Sequence, residues 1–166
     1  MADDALSIRP FKAGDAEQLQ NIRARAFAPV FQSFRDIVGP EIGSVAFATA
    51  EGEQARHLSD LCKADAAQKK LFVAERAGRI VGFVAISLDE TQKLGEVGLN
   101  AVDPDYAGQG FGTQLYEFAL DEMRAAGMKV AVVGTGGDPS HAPARRAYEK
   151  AGFGPFVPSQ WYYRVL

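Results

Sequence analysis

The chain has 166 residues, 47% hydrophobic and 23% charged, the composition of one ordinary globular domain. A chain of that length buries roughly 70% of its unfolded surface and needs neither disulfides nor a metal to fold. Eighteen Lys and Arg against 21 Asp and Glu leave a net charge of −3, without the basic excess of a nucleic-acid reader, so no nucleic-acid partner is expected. No run approaches the ~20 apolar residues of a membrane span, so no membrane partner is expected either. Met1-Ala2-Asp3-Asp4-Ala5 is acidic where a signal peptide would be positive, and the single cysteine, Cys62, allows no intrachain disulfide and no zinc-finger pattern. The expected setting is cytoplasmic, with no metal.

In chain order, Leu6-Ser7-Ile8-Arg9-Pro10-Phe11 alternates as an edge strand does, and Pro10 suits an edge or a strand end. Leu19, Ile22, Arg23 and Ala26 stand at helical spacing and predict a helix over residues 15–27. Phe31, Phe34 and Ile37 suggest a second helix, which Gly39-Pro40 breaks, and residues 59–62 belong to another. Residues 71–75 and 80–86 read as antiparallel strands joined by the tight turn Ala77-Gly78-Arg79. After a polar turn at 89–93, residues 95–102 form a third strand. A glycine-rich loop then leads into a helix reaching about residue 126, with Phe111, Leu115, Phe118, Ala119 and Met123 on one face and Gly127 as its stop.

Val130-Ala131-Val132-Val133 is a continuous apolar run, the pattern of a strand buried on both faces. Because it follows a crossover helix, it is expected to run parallel to strand 95–102. A helix over 142–151 ends at Gly152, and residues 153–156 and 160–166 read as two closing strands. The fold class is α/β (α+β): a mixed, mostly antiparallel sheet of six to seven strands with helices on both faces and a central parallel pair. Exposed sheet edges near the C-terminus leave room for a homodimer.

Gly108-Gln109-Gly110-Phe111-Gly112-Thr113 lies between a strand and a helix. Glycines there admit close approach by a ligand, and the helix start offers unpaired N–H groups and a positive dipole end, which together suit a phosphate or pyrophosphate. A Walker loop would need Gly-Lys-Ser/Thr, and a dinucleotide fingerprint would need G-x-G-x-x-G with an acid about 20 positions on. Neither is present.

Glu96-Val97-Gly98-Leu99-Asn100-Ala101-Val102-Asp103-Pro104 followed by Gly108-Gln109-Gly110-Phe111-Gly112-Thr113-Gln114-Leu115 resembles the acetyl-CoA-binding motif of the GNAT superfamily of N-acetyltransferases. Ala144-Arg145-Arg146-Ala147-Tyr148-Glu149-Lys150-Ala151-Gly152-Phe153 is similar to its second motif, a helix running into a Gly-Phe strand start. The resemblance is specific over residues 71–153. It departs at Ala107, where the family usually carries Arg or Gln in Arg/Gln-x-x-Gly-x-Gly, and at His141, where an Asn often opens the second motif.

The resemblance implies one N-acetyltransferase domain over 1–166, with variable acceptor-side helices at 28–67 and an acetyl-CoA-binding core at 95–153. It implies acetyl-CoA as the acetyl donor and a small-molecule amine as the acceptor (an amino sugar, polyamine or amino-acid derivative). A protein or peptide amine is the alternative, as is a non-catalytic acyl-CoA sensor on the same fold. The pantetheine arm would pair with Asn100-Ala101-Val102, a main-chain N–H at Ala101 or Val102 would polarise the thioester carbonyl, and the pyrophosphate would lie on the amides from Ala107 to Thr113. Gln109 could add a polar side chain nearby.

Tyr148 is the candidate acid, because a phenol stays protonated at neutral pH and can still protonate a departing thiolate. Ala144, Ala147, Tyr148 and Ala151 also share one helical face, so periodicity alone reads Tyr148 as core, whereas the resemblance matches it to the family's leaving-group tyrosine. Glu96 is either a solvent-facing glutamate at a strand end or the carboxylate that takes the amine's proton through water. Ser140 and His141 could cap the following helix, or contact the cofactor or acceptor. Asp138 could bind a cationic acceptor or simply start a turn. His57 and Cys62 are too isolated to form a metal or nucleophile site.

Overall fold

The computed structural model describes residues 5–166; the acidic stretch Met1-Ala2-Asp3-Asp4 lies outside the described residues. In chain order the elements are β1 (Ser7–Pro10), α1 (Ala16–Val38), α2 (Pro40–Ala46), α3 (Ala50–Lys63), β2 (Lys69–Arg76), β3 (Arg79–Asp89), β4 (Leu94–Val102), α4 (Phe111–Ala125), β5 (Val130–Val133) and α5 (Ala142–Lys150). They form one sheet in the order β1-β2-β3-β4-β5, antiparallel from β1 to β4 and parallel between β4 and β5.

Helices cover both faces, which explains why β2 and β3 read as nearly unbroken apolar runs. On one face Phe72, Val84, Ile86 and Val97 pack against Leu115, Ala119 and Met123 of α4, and Tyr148 of α5 joins them. On the other, Val73, Phe83 and Ala85 pack against Leu19 and Ile22 of α1 and Leu58 of α3. Close approach of α4 needs Gly95, since a Cβ there would lie 2.5 Å from Met123 Sδ and 2.7 Å from its Cγ.

Several expectations are corrected. The two helices expected between residues 15 and 38 are a single 23-residue helix that continues through Pro29. A proline there removes one backbone bond, but packing holds the two halves in line, with Leu19 and Ile22 buried before the proline and Phe31 after it. Arg25 and Arg35 brace the same helix through ion pairs to Asp103 and Glu51.

Among the described residues the sheet has five strands, not six or seven, because residues 153–156 and 160–166 form none. Pro155 and Pro158 withhold backbone donors from any ladder. Phe156, Val157, Trp161 and Tyr162 are exposed, so the alternation has no layer to bury against. The parallel pair therefore sits at an edge of the sheet rather than its centre. For the same reason β5 is not buried on both faces: Val130 is 60% and Val132 41% exposed. No helix among the described residues is long and apolar enough to cross a membrane.

Phe83 has no exposed surface. Phe83→Ala should lower the unfolding free energy by about 3–5 kcal/mol in a denaturant titration, whereas Val45→Ala, on the exposed face of α2, should stay within about 0.5 kcal/mol. Equal effects would mean that the two-sided core is misassigned.

Candidate active site

One extra residue in β4 shapes the site. Val84 pairs with Asn100 and Ile86 with Val97, so β4 advances three residues while β3 advances two. Such a bulge bends the strand and reverses its side-chain alternation beyond that point. Val97 packs on the α4 side; past the bulge, Leu99 and Ala101 pack on the α1 side, and Asn100 turns toward α4. Pairing with β5 ends at Val97 and Val133, just before the bulge. The outer edge of residues 98–102 has no strand partner among the described residues. An extended ligand can pair with such an edge.

The chain then turns through Asp103, whose carboxylate accepts from the Asp105 amide at 3.0 Å and from Arg25 Nη1 at 3.0 Å, fixing the turn to α1. Gly110 has φ +80°, a left-handed conformation that glycine adopts without strain, immediately before α4. The first backward bond into α4 is donated by Gln114 to the Gly110 carbonyl, at 3.1 Å. The amides of residues 108–113 precede it and have no acceptor among the described residues. A Cβ built on Gly108 or Gly110 would meet nothing within 4 Å, so there is room above the loop. Unpaired amides, open space and the start of a 15-residue helix fit a pyrophosphate. Ala107 adds no side-chain donor, and its amide bonds to the Pro104 carbonyl at 3.2 Å.

Asn100 joins the strand edge to two phenols. Its Oδ1 accepts from the Tyr116 hydroxyl at 2.8 Å, while its Nδ2 donates to the Gly98 carbonyl at 2.9 Å and toward the Tyr148 hydroxyl at 3.4 Å. The two rings lie 4.5 Å apart. Burial, and then the neighbouring Tyr148, pushes the Tyr116 phenol well above its ordinary range, so Tyr116 remains a neutral donor. Tyr148 is 7% exposed; its ring packs in the core and its hydroxyl is directed at Asn100.

Glu96 lies elsewhere. It is exposed, paired across the sheet with Ser87 and Val132, on the face opposite Val97 and α4. The structure does not bring it into contact with Tyr148. His141 precedes α5 but makes no capping hydrogen bond. The capping side chain of this turn is Asp138, which accepts from the Ser140 amide at 3.1 Å and from the Ser140 hydroxyl. Asp138 also accepts from Ser33 Oγ of α1 at 2.8 Å and contacts His141 Nδ1 at 2.5 Å. Burial alone would raise the Asp138 carboxyl, but the hydrogen bonds from Ser140, Ser33 and His141 outweigh it and hold the group well below the usual carboxylate range.

Sequence reasoning missed Tyr116 and the Ser33–Asp138 link. Tyr116 had a readable signal, since a tyrosine between Leu115 and Ala119 on a buried helix face needs a partner for its hydroxyl. The Ser33–Asp138 link joins residues 105 positions apart and has no local signal. Cys62, partly buried on α3, lines a cavity with Phe11, Gln20 and Lys63, and burial pushes its thiol up, away from nucleophilic reactivity. No group of three or more His, Cys, Asp or Glu that could hold a metal occurs among the described residues.

Because the folded carboxyl of Asp138 lies below its unfolded value, its charge contributes stability above the unfolded pKa, and that contribution is lost as pH falls through the folded one. Asp138→Asn should therefore lower the thermal midpoint at neutral pH, with the gap to wild type closing below about pH 4. A gap unchanged in acid would show that the carboxylate charge contributes nothing.

The chain has detectable relatives. The family model described as Acetyltransferase (GNAT) family matches residues 32–153. A mycothiol acetyltransferase from Thermomonospora curvata is 31% identical over 151 residues, covering 90% of this chain and 44% of the relative, so the chain spans less than half of that protein's length. An IAA acetyltransferase from Azospirillum brasilense is 36% identical over 108 residues, covering 63% of this chain and 69% of the relative. A solved structure from Desulfovibrio desulfuricans, described as an acetyltransferase of the GNAT family, shares the fold with a TM-score of 0.71 at 21% identity, covering 96% of this chain and 92% of that one. With most of its length matched by the family model and the β4 bulge and glycine loop inside the matched segment, the chain belongs to the GNAT acetyltransferase family.

Proposed function

We propose that this chain is an acetyl-CoA-dependent N-acetyltransferase that moves the acetyl group directly to the primary amine of a small molecule. The observation that carries the reading is the outer edge of residues 98–102 and the amides of residues 108–113, both without partners among the described residues, beside the Tyr148 hydroxyl. Acetyl-CoA, when bound, supplies an activated thioester. The residues present fit it: the amides from Gly108 to Thr113 would hold the pyrophosphate, and the strand Asn100-Ala101-Val102 would pair with the pantetheine arm. An amide of that strand, at Ala101 or Val102, would donate to the thioester oxygen. Tyr148 would give its proton to the leaving sulfur, steadied by Asn100. Glu96, exposed on the sheet face opposite α4 and out of contact with Tyr148, is not assigned the amine's proton.

Direct transfer suits the residues present, because the one cysteine lines a different cavity and its thiol is held protonated by burial. The acceptor side would be formed by residues 28–67. A small-molecule acceptor is supported by relatives named for mycothiol and IAA. The alternative of a non-catalytic acyl-CoA sensor is disfavoured by the presence of Tyr148, whose hydroxyl is directed at Asn100 of the strand edge.

Two substitutions separate binding from chemistry. Tyr148→Phe should lower turnover by roughly 10²–10⁴-fold while CoA affinity, measured by calorimetry, stays nearly unchanged. Undiminished turnover would reduce Tyr148 to a core residue. Gly110→Val puts a β-branched residue at φ +80° in the cradle and should weaken CoA binding. Wild-type affinity in that variant would refute the cradle.

A further inference from the structure

The turn before α5 is more heavily constructed than a helix start requires. Asp138 gathers hydrogen bonds from Ser33 on α1, from Ser140 and from His141, and the His141 ring stacks on Phe34 of α1 with centroids 5.6 Å apart. Arg145 of α5 fixes the loop backbone, donating to the Gly136 carbonyl at 2.6 Å and the Asp138 carbonyl at 2.8 Å. A Cβ at Gly136 would collide with His141 Nδ1 and lie 2.6 Å from Asp138 Oδ1, so the pair is packed against a bare backbone.

We propose that His141 is the base that takes the proton from the acceptor ammonium, with Asp138 and Ser33 as its positioning residues. This rests on the N-acetyltransferase reading above. A carboxylate only accepts, so the contact between Asp138 Oδ1 and His141 Nδ1 places the ring proton on Nδ1. Nε2 then carries the lone pair, and no partner for it occurs among the described residues. The arrangement is a base oriented by a third group, the logic by which histidine serves in proton transfer. Among the described residues the charged group in contact with the ring is Asp138 on its own turn; Arg145 of α5 bonds to the Asp138 carbonyl, and α1 meets the ring with Phe34 and the Asp138 carboxylate with Ser33.

The position suits the task. His141 lies on the loop that follows β5, where that strand parts from β4, and it faces α1 on the acceptor side. It stands seven positions before Tyr148, at the N-terminal end of the helix that carries that tyrosine. Nε2 removes a proton from the R–NH3+ group, and the freed lone pair forms the N–C bond to the acetyl carbon. The C–S bond breaks, and the sulfur takes the Tyr148 proton. The new amide nitrogen sheds its extra proton to Tyr148, and His141 releases its own to solvent. The sum is one amide, one thiol and one proton from one ammonium and one thioester.

The test follows thiol release from acetyl-CoA with glucosamine, spermidine, S-carboxymethylcysteine or water alone, from about pH 6 to 9, alongside CoA affinity and thermal midpoint. His141→Asn should lower kcat/KM by about 10²–10⁴-fold and abolish the acidic limb of the pH profile, with CoA affinity held within about twofold. His141→Ala should regain part of the lost rate with added imidazole, a response that a purely structural role would not give. Glu90→Gln, in the exposed turn between β3 and β4, should behave as wild type. The proposal is overturned if His141→Asn keeps more than about a tenth of the wild-type rate. It is equally overturned if imidazole restores nothing, or if Glu96→Gln removes the acidic limb while His141→Asn retains it. A wild type that binds no CoA, or turns over none of the acceptors, refutes the transferase reading itself rather than the base assignment.

Discussion

The bulge in β4 is the constraint on which the rest of the molecule depends. One unmatched residue between Val97 and Asn100 ends the pairing with β5 and inverts the faces that later side chains occupy. Without the inversion, Leu99 and Ala101 would point at α4 and Asn100 away from it. With it, the strand edge is released from β5 while its one amide side chain is delivered to Tyr116 and Tyr148. A bulge leaves ladder groups unpaired, and the two-sided core around β3 supplies the rigidity that keeps them so.

Two anchors hold the glycine loop and the turn before α5 in register with this edge, and both come from α1. Arg25 binds Asp103 at the turn below the glycine loop, and Ser33 binds Asp138 at the turn below α5. A helix running unbroken through Pro29 can set both spacings at once, which two separate helices could not do. The helices expected to vary with the acceptor are thus mechanically joined to both motifs. A shift of α1 is therefore coupled to both the turn below the glycine loop and the turn that carries His141.

Much of this was legible in the sequence, for reasons that differ by region. The β2–β3 hairpin, β4, α4 and α5 were readable because each has a strong local period or a turn residue where one is needed. The glycine loop was readable because its residue types have a physical use at a helix start. The continuous α1 was not, since Pro29 is locally a breaker and only distant packing overrides it. The C-terminal alternation misled for the opposite reason: a period-two pattern reports a strand only when a face exists to bury it, and Trp161 and Tyr162 have none here. Val130 and Val132 likewise read as buried in the sequence although the sheet ends beside them. Among the candidate site residues, Tyr148 was singled out by its motif, whereas the Asn100 network depends on a bulge that periodicity does not reveal.

The central claim is that the released edge of β4 and the start of α4 form a site for acetyl-CoA rather than for another phosphate-bearing cofactor. The most direct measurement is the thermal midpoint of the protein with acetyl-CoA, CoA, NAD or ATP at one common concentration. A ligand that binds only the folded state adds about 2.7 kcal/mol of stability at a hundredfold excess over its dissociation constant. The account predicts a raised midpoint with acetyl-CoA and CoA and none with NAD or ATP. A rise with NAD or ATP and none with CoA would contradict it.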